Sequence, residues 1–70
     1  MSESVYKVIE LIGVSKISWE EAAKNAIEVA TKTLKEVRVA EVAKMDLTLE
    51  DNKISTYRTR LTVSFKYIDD

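Results

Sequence analysis

The sequence predicts a small α+β domain whose elements follow one another as β-α-β-β. Three observations carry this prediction: an apolar run at Val5–Ile12, a helical pattern that opens at Ser18, and two alternating segments on either side of Asp51 and Asn52. The chain has 70 residues with no proline and one glycine, and it shows no repeat or linker. We therefore expect residues 1–70 to form a single domain of long elements joined by few turns.

The first element, Val5–Ile12, reads VYKVIELI. It is rich in β-branched and apolar residues and is short enough for a strand. Lys7 and Glu10 fall on opposite faces of such a strand, so neither face is wholly apolar. Gly13 follows and is predicted to end the strand.

The second element is a helix that begins with a capping signal. Ser18 precedes Glu21 by three positions, which is the spacing of a capping box. Lys32 and Lys35 are expected in the last turn, where the helix dipole favours positive charge. The stripe that recurs at helical spacing consists of Trp19, Ala22, Ala23, Ala26, Ile27, Ala30 and Leu34. The pattern predicts four to five turns, with an alanine-rich face that can approach a sheet closely.

The rest of the chain predicts a long β-hairpin from Val37 to about Tyr67. Asp51 and Asn52 both tolerate positive φ, so they suit a two-residue turn between the strands. Such a turn pairs Glu50 with Lys53, Ala40 with Val63 and Val42 with Leu61. We expect the helix to cover the face that carries these apolar pairs.

Strict alternation along the first hairpin strand puts its remaining apolar side chains on the other face. Met45, Leu47 and Leu49 are then expected beside Arg58 and Arg60. Fourteen strand residues span about 46 Å, whereas seventeen helix residues span about 26 Å. Because one helix cannot cover so long a sheet, we expect copies of the chain to cover the remainder.

Composition excludes several classes of site. There is no histidine and no cysteine, which removes the commonest general base, the usual zinc ligands and a thiol nucleophile. Eleven Lys and Arg residues against twelve Asp and Glu give a net charge of −1, which disfavours nucleic acid as a partner. No apolar run is long enough for a membrane span, and residues 1–6 show no secretory signal. We expect a cytoplasmic protein that is not an enzyme and binds no membrane.

The order and spacing of five segments resemble the dodecin family. The segments are VYKVIELIG at 5–13, SWEEAA at 18–23, VAEV at 39–42, TYRT at 56–59 and VSF at 63–65. The resemblance implies an antiparallel sheet partly wrapped around the helix, and a hollow shell of twelve copies. It also implies a non-catalytic storage protein that binds riboflavin, FMN or related flavins at subunit interfaces, and in some members coenzyme A.

The resemblance places three residues in the flavin pocket: Val39, Arg58 and Met45. Val39 matches the family's tryptophan, which stacks on the flavin ring, and Arg58 matches a glutamine that bonds the flavin's pyrimidine edge. Val39 has no π-face, and Arg58 can donate hydrogen bonds but cannot accept them. Two interpretations stay open: a modified ligand pocket, or an interface position from which flavin binding has been lost.

The segments Arg38-Val39-Ala40 and Tyr57-Arg58 resemble a variant branch of the family that includes a calcium dodecin. Asp46 and Glu50 share one strand face and are the candidate metal ligands. Calcium takes six to eight oxygen ligands, so other copies of the chain would have to supply the rest. The alternatives are a solvated strand face for these two acids and an ion-pair network between subunits for Arg58, Arg60 and Glu41.

Overall fold

One helix lies across one face of a three-stranded antiparallel sheet. The structure is a computed structural model that describes residues 4–69, with side chains described from 4 to 67. Its elements are β1 (Ser4–Ser15), α1 (Trp19–Thr33), β2 (Val37–Glu50) and β3 (Lys53–Asp69), and the strand order is β1-β3-β2. The predicted β-α-β-β fold is confirmed. We call the face under α1 the inner face and the opposite face the outer face.

The strand β1 runs through Gly13 and ends only at Ser15. The prediction that Gly13 ends the strand is therefore wrong, and the reason is steric. A Cβ atom on Gly13 would lie 1.8 Å from the carbonyl oxygen of Ala22 and 3.1 Å from the Cβ of Ala26. The glycine is needed because the helix backbone passes directly over the strand at this point.

The helix begins and ends near the predicted residues. Ser18 adopts an extended backbone, and its side-chain oxygen accepts from the backbone N–H of Glu21. The helix ends at Thr33, so Lys32 lies in the last turn but Lys35 lies beyond it. Within the described part of the chain, no helix is long and apolar enough to cross a bilayer.

The core is thin and lies between the alanine stripe of α1 and the middle of β3. Ala22, Ala26 and Ala30 are buried on the helix, and Leu61 and Val63 are buried on the strand. Small side chains on the helix let its axis come close to the sheet, which buries the larger side chains of β3.

The predicted hairpin turn and its pairings are confirmed. Asp51 and Asn52 have φ values of 53° and 62°, as a two-residue turn with primed geometry requires. The observed pairs include Glu50 with Lys53, Ala40 with Val63 and Val42 with Leu61.

Two bulges in β2 break the strict alternation that the sequence suggested. Val42 pairs with Leu61 but Lys44 pairs with Arg60, so Ala43 is an extra residue. A second bulge lies at Arg38. Directly paired residues share a face, and the consequence is a correction: Met45 and Leu47 lie on the inner face, opposite Thr59 and Tyr57, and not beside Arg58 and Arg60.

The helix leaves part of the inner face uncovered, as the element lengths predicted. The molecule is 55 Å long, whereas the fifteen residues of α1 span about 22 Å. Side chains of the hairpin therefore remain exposed beyond the helix: Val42, Met45, Leu49 and Ile54 are all at least half exposed. We call these four residues the β2 stripe.

Replacing the glycine under the helix should disrupt the fold. We expect Gly13→Ala to lower the free energy of unfolding by about 3 kcal/mol or more, because the new methyl group meets helix backbone rather than a movable side chain. Thermal unfolding followed by circular dichroism measures this loss. Val8→Ala, an exposed position on the same strand, is the control, and an equal loss in both variants would contradict the steric explanation.

Candidate functional site

The outer face carries the charged residues that the sequence singled out. Its central rows are set by cross-strand pairs: Val39 with Ser64, Glu41 with Thr62, Lys44 with Arg60 and Asp46 with Arg58. Because paired residues in a ladder share a face, all eight side chains lie on the side away from α1. The helix contributes nothing to this surface.

Asp46 and Arg58 form an ion pair across β2 and β3. Arg58 Nε donates to Asp46 Oδ1 at 2.8 Å, and Arg58 Nη2 donates to Asp46 Oδ2 at 3.4 Å. The guanidinium thus contacts both carboxylate oxygens in a bidentate arrangement, which is the geometry that arginine favours with carboxylates. The Arg58 side chain is 35% exposed and the Asp46 side chain is 55% exposed. Solvent therefore screens the pair, and its contribution to stability is below about 1 kcal/mol.

Val39 and Arg58 share the outer face but do not meet within one chain. Val39 pairs with Ser64, which lies six residues from Arg58 along β3, a separation of about 20 Å. Val39 is 59% exposed. A pocket made of these two residues therefore needs a second copy of the chain.

Met45 lies on the inner face, within the β2 stripe, and is 58% exposed. It points to the opposite side of the sheet from Arg58 and Val39. The structure thus separates Met45 from the other two pocket positions within a single chain.

The two candidate metal ligands are also apart. Asp46 and Glu50 both lie on β2 on the outer side, with Thr48 between them and Thr48 paired with Thr56. Four strand residues span about 13 Å, too far for both carboxylates to reach one ion. Among the described residues no group of three or more acidic side chains could hold a metal. One chain therefore does not bring these two carboxylates together at one ion.

Trp19 is the residue of this region whose partners the sequence did not reveal. Its indole Nε1 donates to the backbone carbonyl of Asp46 at 3.0 Å, and its own carbonyl accepts from Thr59 Oγ1 at 2.9 Å. Its ring also meets Tyr57 edge to face, with centroids 5.2 Å apart. The capping box placed Trp19 at the start of the helix, but no sequence signal links it to a carbonyl 27 residues away.

An apolar groove of about 500 Å³ runs between α1 and β1, at the edge of the sheet opposite to β2. Asn25 lies at its edge, where its Nδ2 donates to the carbonyl of Val14 at 3.0 Å. The apolar residues that line the groove are Ile9, Leu11, Ile12, Val14, Ala26, Val29, Ala30 and Leu34. Together with the β2 stripe, it leaves apolar surface uncovered at both edges of the sheet in the described part of the chain.

Comparison with known proteins agrees with this geometry. The family model described as Dodecin matches residues 5–68. Calcium dodecin of Mycobacterium tuberculosis is 46% identical over 63 residues, which cover 90% of this chain and 89% of that protein.

Solved structures give the same result at the level of the fold. Dodecin from Streptomyces coelicolor superposes with a TM-score of 0.91 at 27% identity, over the whole of both chains. A crystal structure of calcium dodecin from Mycobacterium tuberculosis, described as a calcium chelating antigen with a novel calcium-binding site, superposes with a TM-score of 0.83 at 48% identity and 91% coverage of each chain. A match over nearly every residue, in sequence and in fold, shows that this chain belongs to the dodecin family.

Proposed function

We propose that the protein is a non-catalytic, self-assembling binding protein that takes up calcium rather than a flavin, with Asp46 as the carboxylate that each copy contributes. The carrying observation is the ion pair between Asp46 and Arg58. This ion pair concerns both calcium and flavin. It engages Arg58, the residue at the expected flavin position, and it contains the Asp46 carboxylate, whose oxygens are of the type that calcium prefers.

Two side chains, Arg58 and Val39, disfavour a flavin. Arg58 stands where the family's glutamine is expected, and its donors face Asp46. Val39 stands where the stacking tryptophan is expected, and a valine offers contact area without a π-face. The resemblance implies flavins, and in some members coenzyme A, as ligands of the family, and neither side chain favours a flavin in this chain.

The chemistry of Asp46 and the similarity to a calcium dodecin both favour calcium. Half-exposed carboxylate oxygens are hard ligands that suit Ca²⁺, and Asp46 presents two of them on the open outer face. A relative that is 46% identical carries the name calcium dodecin. Because one chain brings too few oxygens together, the proposed site is completed by symmetry-related copies, each contributing Asp46, with Glu50 as the second candidate ligand.

The uncovered apolar surfaces favour self-assembly. The β2 stripe and the groove beside β1 lie at opposite edges of the sheet. Surfaces of this kind on a 70-residue chain without disulfides are typical of proteins that gain stability by association. We propose the homododecameric shell of the family as the assembled form.

Native mass spectrometry of protein purified without added ligand, followed by calorimetric titration with CaCl₂, tests the proposal. We expect a twelve-subunit mass without flavin-sized or coenzyme-sized increments, and saturable calcium binding. A mass that carries such increments would overturn the choice of calcium over a flavin, and a monomeric mass would overturn the assembly.

Substitutions at the ion pair should change the calcium affinity in opposite directions. Asp46→Asn removes the carboxylate and should weaken binding at least tenfold, whereas Arg58→Gln removes the competing cation. Because an exposed pair of this kind is worth at most about 1 kcal/mol, Arg58→Gln should tighten binding up to about fivefold. Glu41→Gln, with the same loss of charge on the same strand face, is the control for Asp46→Asn. Equal weakening by both would show that calcium responds to net charge and not to a site.

Restoring an aromatic ring should restore flavin binding. We expect Val39→Trp to tighten riboflavin binding, because stacking of a ring on an aromatic side chain is worth about 1–3 kcal/mol. Arg58→Gln in the same background should add to the effect. Quenching of riboflavin fluorescence measures both. The matched control is Val8→Trp, which pairs with the same Ser64 from β1 and is similarly exposed, and equal quenching by the control would show that Val39 does not mark the flavin position.

A further inference from the structure

We infer that Trp19 is a positioning residue for the calcium ligand: its contacts fix the strand segment that carries Asp46 and thereby set the calcium affinity. The inference rests on the proposed function. It goes beyond it by assigning a role to a helix residue on the other side of the sheet from the ion.

Three contacts of Trp19 surround the ion pair from the inner face. The indole N–H bonds the carbonyl of Asp46 itself. The other two contacts are made to Tyr57 and Thr59, the residues that flank Arg58 on β3. Trp19 thus contacts the backbone of Asp46 and both sequence neighbours of Arg58.

The contact matters because β2 is an edge strand with little support from the helix. The helix packs mainly on β1 and β3 and touches β2 only slightly. Asp46 lies in a regular stretch of the ladder with β3, from Lys44 to Thr48, which begins after the bulge at Ala43. The bond from Trp19 therefore adds a link to the helix that strand pairing alone does not provide.

The anchor at the other end of this arrangement is rigid. Thr59 is 1% exposed, and its hydroxyl donates to the carbonyl of Trp19. The helix N-terminus is in turn fixed by the Ser18 cap. Trp19 therefore transmits the position of a well-packed helix to the segment around Asp46.

This arrangement also limits the chemistry of the site. The Asp46 carbonyl oxygen accepts the indole N–H, so the side-chain carboxylate is the group that Asp46 presents to an ion on the outer face. Phenylalanine at position 19 would keep an aromatic ring against Tyr57 but could not donate to the carbonyl.

The first test needs no calcium. Trp19 is the only tryptophan, so its fluorescence reports this position alone. In metal-free protein we expect Asp46→Asn to raise the acrylamide quenching constant of Trp19, because releasing Arg58 loosens the segment that the indole holds. Glu41→Gln should leave the constant unchanged. Equal constants in the wild type and Asp46→Asn, or equal increases in both variants, would overturn the coupling.

The second test measures calcium affinity by calorimetry in Trp19→Phe, after native mass spectrometry has confirmed the wild-type assembly. We expect binding about fivefold weaker, the equivalent of one net hydrogen bond. Ile9→Val, a small loss of packing under the distant part of the helix, is the control for general destabilisation.

The outcomes separate the two proposals. Calcium binding that is weakened equally, or not at all, in Trp19→Phe and Ile9→Val overturns the role of Trp19 and leaves the calcium function standing. Wild-type protein that binds no calcium overturns the calcium function and, with it, the role of Trp19 in setting the affinity.

Discussion

The close approach of the helix to the sheet is the constraint on which the rest of the structure depends. At Gly13 the backbone of α1 comes so near to β1 that no Cβ atom fits between them. Alanines at 22, 26 and 30 continue this contact along the helix. The helix is consequently held in one place above β1 and β3, which fixes where its first residue, Trp19, meets the far strand.

The elements of the fold follow from local signals that can be identified in the sequence. The Ser18 cap, the helical spacing of alanines and the turn at Asp51 and Asn52 each act through neighbouring residues, and each was found where expected. The role of Gly13 was misread because a glycine that ends a strand and a glycine that admits a helix look alike in sequence. Only the packing of α1 distinguishes the two.

The candidate site was less predictable, because it depends on register. The bulge at Ala43 leaves no mark in the sequence, yet it moves Met45 and Leu47 to the inner face and brings Asp46 to the outer face, beside Arg58. The pairing of Asp46 with Arg58 was missed for this reason, since strict alternation placed apolar side chains next to the arginine. Contacts over long sequence separations, such as that between Trp19 and Asp46, are beyond any local pattern.

The two uncovered apolar surfaces have a thermodynamic consequence that concerns the amount of protein rather than its sequence. When copies of a chain cover such surfaces for one another, association stabilises the folded state by mass action. The free energy of unfolding then contains a term in the logarithm of the protein's own concentration. In the assembly proposed above, the β2 stripe and the groove beside β1 would make dilution itself a destabilising condition.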